Sequence, residues 1–447
     1  MTDRKKPVVG YLPDEAPSIG KTILFALQQI LVMFPATVTV AMLTGFHIST
    51  TIFASGLATI VFLLFTRGKI PLYYGSSFSY IAAIIGITGA KFGEPVADSL
   101  ISEAQFGIIC SGLVSIIAGL IVNRFGMEAV EKVLPPTVTG SIAIVIGLSL
   151  AGSAVTGAGV VNGETSSTAW VAAIITLLAT ILFSVYLKGV FGQLSILFGI
   201  LVGYVCSIPL GLIDFTTIFQ GQVFSAPHFT LPKPSLAAVA AIMPIAIATI
   251  PESTAHIFQL DIYVNDLAKK KGKSEYKIAD KLGLNLIGDG IGDIVASLFG
   301  GPAGTNYGEN LSTMAITRNF SSRVLGVAAV LAMVLSFFTP LSNAISSVPG
   351  AVINGACIFL FGVIAAQGVA IMVNKKVDLF SAKNLSIIAT ILIVGLGGHY
   401  GFADNNSSIP IFGVNMPAIA TAAGVGIVLN LLLSIGDKKK SDTASEA

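Results

Sequence analysis

The sequence predicts an all-α polytopic membrane protein of fourteen transmembrane helices, arranged as two inverted seven-helix repeats with the third and tenth spans broken. Three observations predict it. Hydrophobic residues make up 54% of the 447 residues and charged residues 11%, with a mean hydropathy of +0.86, whereas soluble domains carry about 25% charged residues. Apolar runs of spanning length recur along the whole chain. Basic residues gather in alternate connecting segments.

The apolar runs lie near 21–43, 48–65, 71–90, 104–122, 137–158, 169–187, 193–210, 237–262, 284–299, 302–317, 324–340, 349–373, 383–402 and 411–435. The ninth and tenth are separated only by Gly300-Gly301-Pro302, and both are rich in glycine. The first twenty residues are polar and open Thr2-Asp3-Arg4-Lys5-Lys6, with no short apolar core and cleavage site. No signal peptide is expected, so the first run stays as a span. With the N-terminus inside, the inner segments collect 23 of the 25 basic residues and leave Lys91 and Lys233 outside. Both termini are then cytoplasmic, in a multi-pass protein of the plasma or inner cell membrane. The basic run at 269–281 reads as a solvated loop that sets topology. A net charge of +2 from basic residues scattered among short loops gives no sign of nucleic-acid binding, and no nucleic-acid partner is expected. Cys110, Cys206 and Cys357 stand singly in apolar runs, which indicates packing and neither a disulfide framework nor a metal cluster.

Seven is odd, so a second copy of a seven-span repeat enters the membrane upside down. The interruptions fall in corresponding places, at Tyr73-Tyr74-Gly75-Ser76-Ser77-Phe78 in the third span and Gly304-Thr305-Asn306-Tyr307-Gly308 in the tenth. Extended backbone at about 3.3 Å per residue brings Phe78 and Glu309 to the midplane from opposite faces. Each break would end in a half-helix whose free N–H groups favour carbonyl oxygens and anions. Close packing through small residues is the simpler reading of such glycines. The carboxylate on the break itself favours a site, because charge at bilayer depth is costly.

In the eighth span Glu252 and His256 stand four apart on one helix face, just after Pro251. A self-satisfying structural pair is the alternative to a functional one. Asp289 and Asp293 share a face of the ninth span, with Asp289 nearer the cytoplasmic end and Asp293 deeper; the pair reads either as support for the site or as a hydrated helix end. His47, His228 and His399 read as surface residues. No phosphate-binding glycine loop, nucleophile elbow or metal-ligand spacing is present, so neither an enzyme nor an ATP motor is indicated. No cofactor is expected.

Glu309-Asn310 through Thr317-Arg318, with Tyr307-Gly308 before it, resembles the signature of the nucleobase–ascorbate transporter family, and within it the bacterial uracil permeases. Gly68-Lys69-Ile70-Pro71, Gly75-Ser76-Ser77-Phe78, Leu27-Gln28 and the Glu252/His256 pair extend the match over both halves. Two positions depart from it: Gln29 stands where many relatives have His, and Ser312 where many have Gly.

The resemblance implies a core domain (21–136 and 237–340) and a gate domain (137–212 and 349–435), flanked by tails at 1–20 and 436–447. It implies short antiparallel strands in the two broken spans. It assigns base binding to Glu252, Glu309, the backbone N–H groups of Phe78 and Gly308, Ser77 and the wall residue Tyr307. It assigns proton coupling to His256 with the two glutamates, and support to Gln29, Asn310, Ser312 and Asp293. Chemistry alone is consistent with this: a pyrimidine dione alternates C=O acceptors with N–H donors, which backbone N–H groups and carboxylates complement. The expected function is import of uracil or a close pyrimidine by proton symport, through alternating access of core against gate. The alternative within the fold is a purine base such as xanthine or urate, coupled to protons or sodium. An anion cargo fits less well, because two midplane carboxylates repel it. A homodimer is compatible with the sequence and not fixed by it.

Overall fold

Backbone inside hydrocarbon must satisfy its own N–H and C=O groups, and apolar runs of this length therefore become helices. A computed structural model describes residues 10–91, 96–161, 164–218, 220–405, 407–411 and 414–445. In chain order come α1 (Ile19–Thr44), α2 (Ile48–Phe65), β1 (Tyr74–Ser76), a 3-10 turn at Phe78–Tyr80, α3 (Ile81–Thr88) and α4 (Asp98–Phe125). Then follow α5 (Met127–Val133), α6 (Pro136–Ser149), α7 (Ala151–Ala158), the hairpin of β2 (Val160–Val161) and β3 (Glu164–Thr165), α8 (Ser167–Tyr186), α9 (Val190–Gln193) and α10 (Ser195–Ser207). The remainder comprises α11 (Leu236–Ile242), α12 (Ile245–Lys270), α13 (Leu282–Leu298), β4 (Gly304–Asn306), α14 (Gly308–Thr317), α15 (Ser322–Leu335) and α16 (Thr339–Ser346). The chain closes with α17 (Gly350–Asn374), α18 (Ala382–Leu392), a π-helical turn, α19 (Gly398–Gly401), the hairpin of β5 (Ser408–Ile411) and β6 (Val414–Pro417), and α20 (Ala418–Ser445).

Nine helical stretches among the described residues are long and apolar enough to cross a membrane, and Phe78–Thr88, Ser195–Ser207 and Ser322–Leu335 are shorter apolar helices. The surface carries large apolar side chains such as Leu24, Ile117, Leu182, Val205 and Leu432, while Ser55, Thr59, Ser111, Asn285, Asn306 and Asn310 are buried. That distribution suits a protein whose solvent is lipid. Two expectations need correction. The eighth run divides at Met243–Pro244, and α12 continues to Lys270, so Lys269 and Lys270 close a helix instead of lying in a loop. Cations there interact favourably with the helix C-terminus. Asp289 is not at a hydrated end but buried, 6% exposed.

Small residues let helices approach closely. A Cβ on Gly112 of α4 would lie 2.6 Å from the Gly290 carbonyl of α13, and one on Gly140 of α6 would lie 2.7 Å from the Gly368 carbonyl of α17. Such glycine contacts replace the hydrophobic driving force, which lipid removes. α2 packs on α15 as α4 packs on α13. β1 and β4, the two broken segments, meet at the centre of this arrangement.

Candidate functional site

β1 and β4 pair antiparallel with the register Tyr74↔Asn306, Gly75↔Thr305 and Ser76↔Gly304. Beyond the ladder, Ser77 N–H donates to Ala303 O and Tyr307 N–H to Tyr73 O, both at 2.9 Å. The pairing is therefore symmetric about Gly75 and Thr305. Only glycine fits at position 75, because a Cβ there would overlap the Tyr307 ring. Each strand runs directly into a helix start, β1 into the turn at Phe78 and β4 into α14 at Gly308. The two N-termini thus begin at opposite ends of this short ladder, and the first N–H groups of a helix have no intrahelical acceptor.

A buried polar network holds the crossing in place. Asp293 Oδ1 accepts from Tyr74 OH at 2.6 Å and from Gly304 N–H at 2.7 Å. Asp289 Oδ1 accepts from Asn306 Nδ2 at 2.6 Å, and its Oδ2 accepts from Ser253 Oγ at 2.6 Å. Asp289 therefore ties α12, α13 and β4 together. Tyr307 OH donates to Ser76 O at 3.1 Å and lies 2.9 Å from Thr37 Oγ1. Asn310 Nδ2 donates to Gln29 Oε1 at 2.7 Å and to Gln29 O at 2.9 Å, which anchors α14 on α1. The Nδ2 groups of Asn306 and Asn310 are paired in this network, and buried polar networks favour one geometry because breaking a pair is costly.

In front of this scaffold the exposure changes. Phe78, Ser79, Glu252, His256, Gly308 and Glu309 are each half-buried, whereas Asp289, Asp293, Asn306, Tyr307, Asn310 and Gln29 behind them are buried. Glu252 lies in the field of the Glu309 and Asp289 carboxylates. His256 faces α14 so closely that a Cβ on Gly308 would lie 2.8 Å from its Nε2, and its Nδ1 is buried with no hydrogen-bond partner among the described residues. Two carboxylates and an imidazole thus surround two helix N-termini. The set offers N–H donors, carboxylate acceptors and proton-exchanging groups within one opening. Among the described residues, this group does not bring three metal-ligand atoms within 4.8 Å of one another.

The structure brings Glu252, His256, Phe78, Gly308 and Glu309 together around that opening. Ser77 is turned inward and caps the following turn, its Oγ accepting from Ser79 N–H at 3.3 Å. Tyr307, expected as a wall, is 3% exposed and supports β1 from behind. Gln29, Asn310 and Asp293 hold the strands and α14, while Ser312 is half-buried on α14 and joins none of these hydrogen bonds. Sequence reasoning missed Asn306 and Ser253 as Asp289 partners. The only linear signal was an Asn inside the glycine-rich break, four residues after Pro302.

A permease family model matches residues 20–403. The uracil permease of Bacillus caldolyticus is 37% identical over 436 residues, covering 96% of this chain and 95% of that protein. The uracil permease of Bacillus subtilis is 34% identical over 444 residues, with 97% of each chain covered. Among solved structures, SLC26A9 matches with a TM-score of 0.64 at 12% identity, over 94% of this chain and 66% of that one, which speaks for the fold alone. Motif, fold and relatives agree, and the chain belongs to the nucleobase–ascorbate permease family, a family of multi-pass membrane transporters.

Proposed function

We propose that this protein imports uracil or a close pyrimidine base by proton symport, with a core domain rocking against a gate domain around a fixed site. The observation that carries the reading is the pair of half-buried glutamates, Glu252 on α12 and Glu309 on α14, set beside the strand pair whose two ends each open into a helix N-terminus. A uracil edge presents C=O groups to the Phe78 and Gly308 N–H groups and N–H groups to the carboxylates. His256 and the glutamates exchange the coupled proton, because a neutral base is not concentrated by membrane potential alone. Tyr307, Ser77, Asn310, Gln29 and Asp293 act by holding this geometry.

The inverted fourteen-span repeat is part of the proposal, and the packing supports it. A swap of each span with the one seven places away exchanges the α4–α13 crossing with α15–α2. The same swap returns the β1–β4 pair and the α6–α17 crossing to themselves. Core segments 21–136 and 237–340 and gate segments 137–212 and 349–435 follow that division, with both termini cytoplasmic. Inverted-repeat carriers place the substrate at such a repeat interface.

The test is uptake of radiolabelled uracil into proteoliposomes, with and without an inward proton gradient, beside competing unlabelled bases. Gradient-stimulated uptake blocked by uracil and not by xanthine is the expected result. Displacement by a purine alone would move the cargo to the purine class, and indifference to the gradient would remove the proton role.

A further inference from the structure

His47, Asp98 and His228 are far apart in sequence and outside the site just described. The fold brings them together at the end of α1 remote from the N-terminal segment. His47 Nε2 lies 3.0 Å from Asp98 Oδ1, and His228 Nε2 lies 2.7 Å from Asp98 Oδ2. The two imidazoles meet edge to face with centroids 4.5 Å apart. One ligand atom from each residue lies within 4.8 Å of the other two, and among the described residues no other group of His, Cys, Asp and Glu does this. We propose that His47, Asp98 and His228 form a binding site for a divalent transition metal of the zinc type.

Ligand chemistry and support both favour this. Two neutral imidazole nitrogens and one carboxylate oxygen, with water in a fourth position, suit zinc in a tetrahedral arrangement. Zinc–ligand bonds of about 2.0–2.2 Å set ligand atoms roughly 3.3 Å apart, so closing on the ion requires only small side-chain rotations. The backbones that carry the histidines are already pinned to one helical turn. His47 O accepts from Thr51 N–H and Thr51 Oγ1, each at 2.9 Å, and His228 O accepts from Thr50 Oγ1 at 2.7 Å. Ligands held in this way need little ordering when the ion arrives. As hydrogen-bonded pairs alone these groups do little for stability: their side chains are 35%, 49% and 58% exposed for His47, Asp98 and His228, and exposed ion pairs contribute at most about 1 kcal/mol.

The ion would clamp the connector between α10 and α11 onto the tips of α2 and α4. That connector already leans on α4 through Lys233 N–H to Ser102 O at 2.9 Å and Thr230 Oγ1 to Gln105 Oε1 at 2.9 Å, and on α2 through Thr50 Oγ1 to His228 O. The metal site is independent of the transport reading, since none of its residues belongs to the base-binding set.

Calorimetric titration of Zn²⁺ into the untagged full chain in detergent tests it. One equivalent per chain is expected to bind saturably. His47→Gln, Asp98→Asn and His228→Gln should each weaken binding ~10-fold or more, the size of effect seen when ligand support is lost. Diethylpyrocarbonate labelling of the unmodified protein provides a measurement that does not depend on variants folding: Zn²⁺ should protect His47 and His228 while leaving His399 labelled as before. Absence of one-equivalent binding, wild-type affinity in the doubly substituted His47→Gln/His228→Gln protein, or unprotected histidines would overturn the assignment.

Discussion

Asp293 offers a sharp test of how the strand crossing is held, because both of its donors converge on one oxygen. Tyr74 OH and Gly304 N–H reach the same Oδ1, at 2.6 and 2.7 Å. Asp293→Ala leaves Gly304 N–H without an acceptor and Tyr74 OH with only its long contact to Asp289 O at 3.3 Å, and a fully unsatisfied group costs about 1–3 kcal/mol. The cost is about 1–3 kcal/mol for Gly304 N–H, with a smaller addition for Tyr74 OH, concentrated on the β1–β4 pair. Asp293→Asn keeps an oxygen in the same position and loses only the strengthening that charge confers, about 1 kcal/mol. The assay pairs a thermal melt in detergent with equilibrium uracil binding. Asp293→Ala is expected to melt lower and bind base poorly, with Asp293→Asn close to the parent in both. Equal damage from the two substitutions would refute the reasoning, since the negative charge rather than the acceptor would then be what matters.

Four further outcomes follow from the structure. Glu309→Ala should abolish uracil binding in an equilibrium assay, and Gly308→Ala, which sets a methyl 2.8 Å from His256 Nε2, should weaken it ~10-fold, equivalent to about 1.4 kcal/mol; unchanged affinity in either removes that residue from the site. At the N-terminal segment, burial acts to raise the Glu15 pKa, but hydrogen bonds from Lys271, Leu12 N–H and Lys273 outweigh it and hold the carboxyl at about 2. A depressed carboxyl stabilises the fold above its ordinary pKa and loses that contribution as pH falls through the folded value. Glu15→Gln should therefore lower the melting temperature at pH 7, at a cost of about 1–2 kcal/mol allowing for solvent screening. That difference should shrink between pH 4.5 and about 2, and a pH-independent difference would show that packing, not charge, is lost. Finally, Val38 of α1 and Leu201 of α10 line one apolar cleft. Cysteines at these two positions, in a background lacking Cys110, Cys206 and Cys357 and bridged by a flexible bis-maleimide, should stop uptake while sparing uracil binding; continued uptake by the bridged protein would rule out core–gate motion.

Membrane character was legible in the sequence because it depends on composition and run length, which are local properties. Glu252, His256 and Glu309 were legible for a related reason. Ionisable groups inside apolar runs stand out against a background that excludes them. The breaks at Gly75 and Gly304 were visible as glycine, serine and asparagine where helix-forming residues were expected. Local cues were weaker guides to depth: Asp289 lies four residues from Asp293 on the same helix, yet its burial depends on Asn306 and Ser253, which come from other segments.

The sequence by itself determined the membrane character, the near-positions of the spans and the identity of the ionisable residues within them, since each follows from the residue types within one run. Only the tertiary structure decided which polar groups are half-buried in front of the strand pair and which hold the scaffold behind it. Tyr307 and Ser77 sit in the motif beside Gly308 and Phe78, yet pairing of β1 with β4 turns their side chains inward. It also decided that His47, Asp98 and His228 share one point, because three helix ends and a connector converge there. Strand register and helix crossing are set by contacts between segments more than a hundred residues apart, and linear spacing carries no record of them.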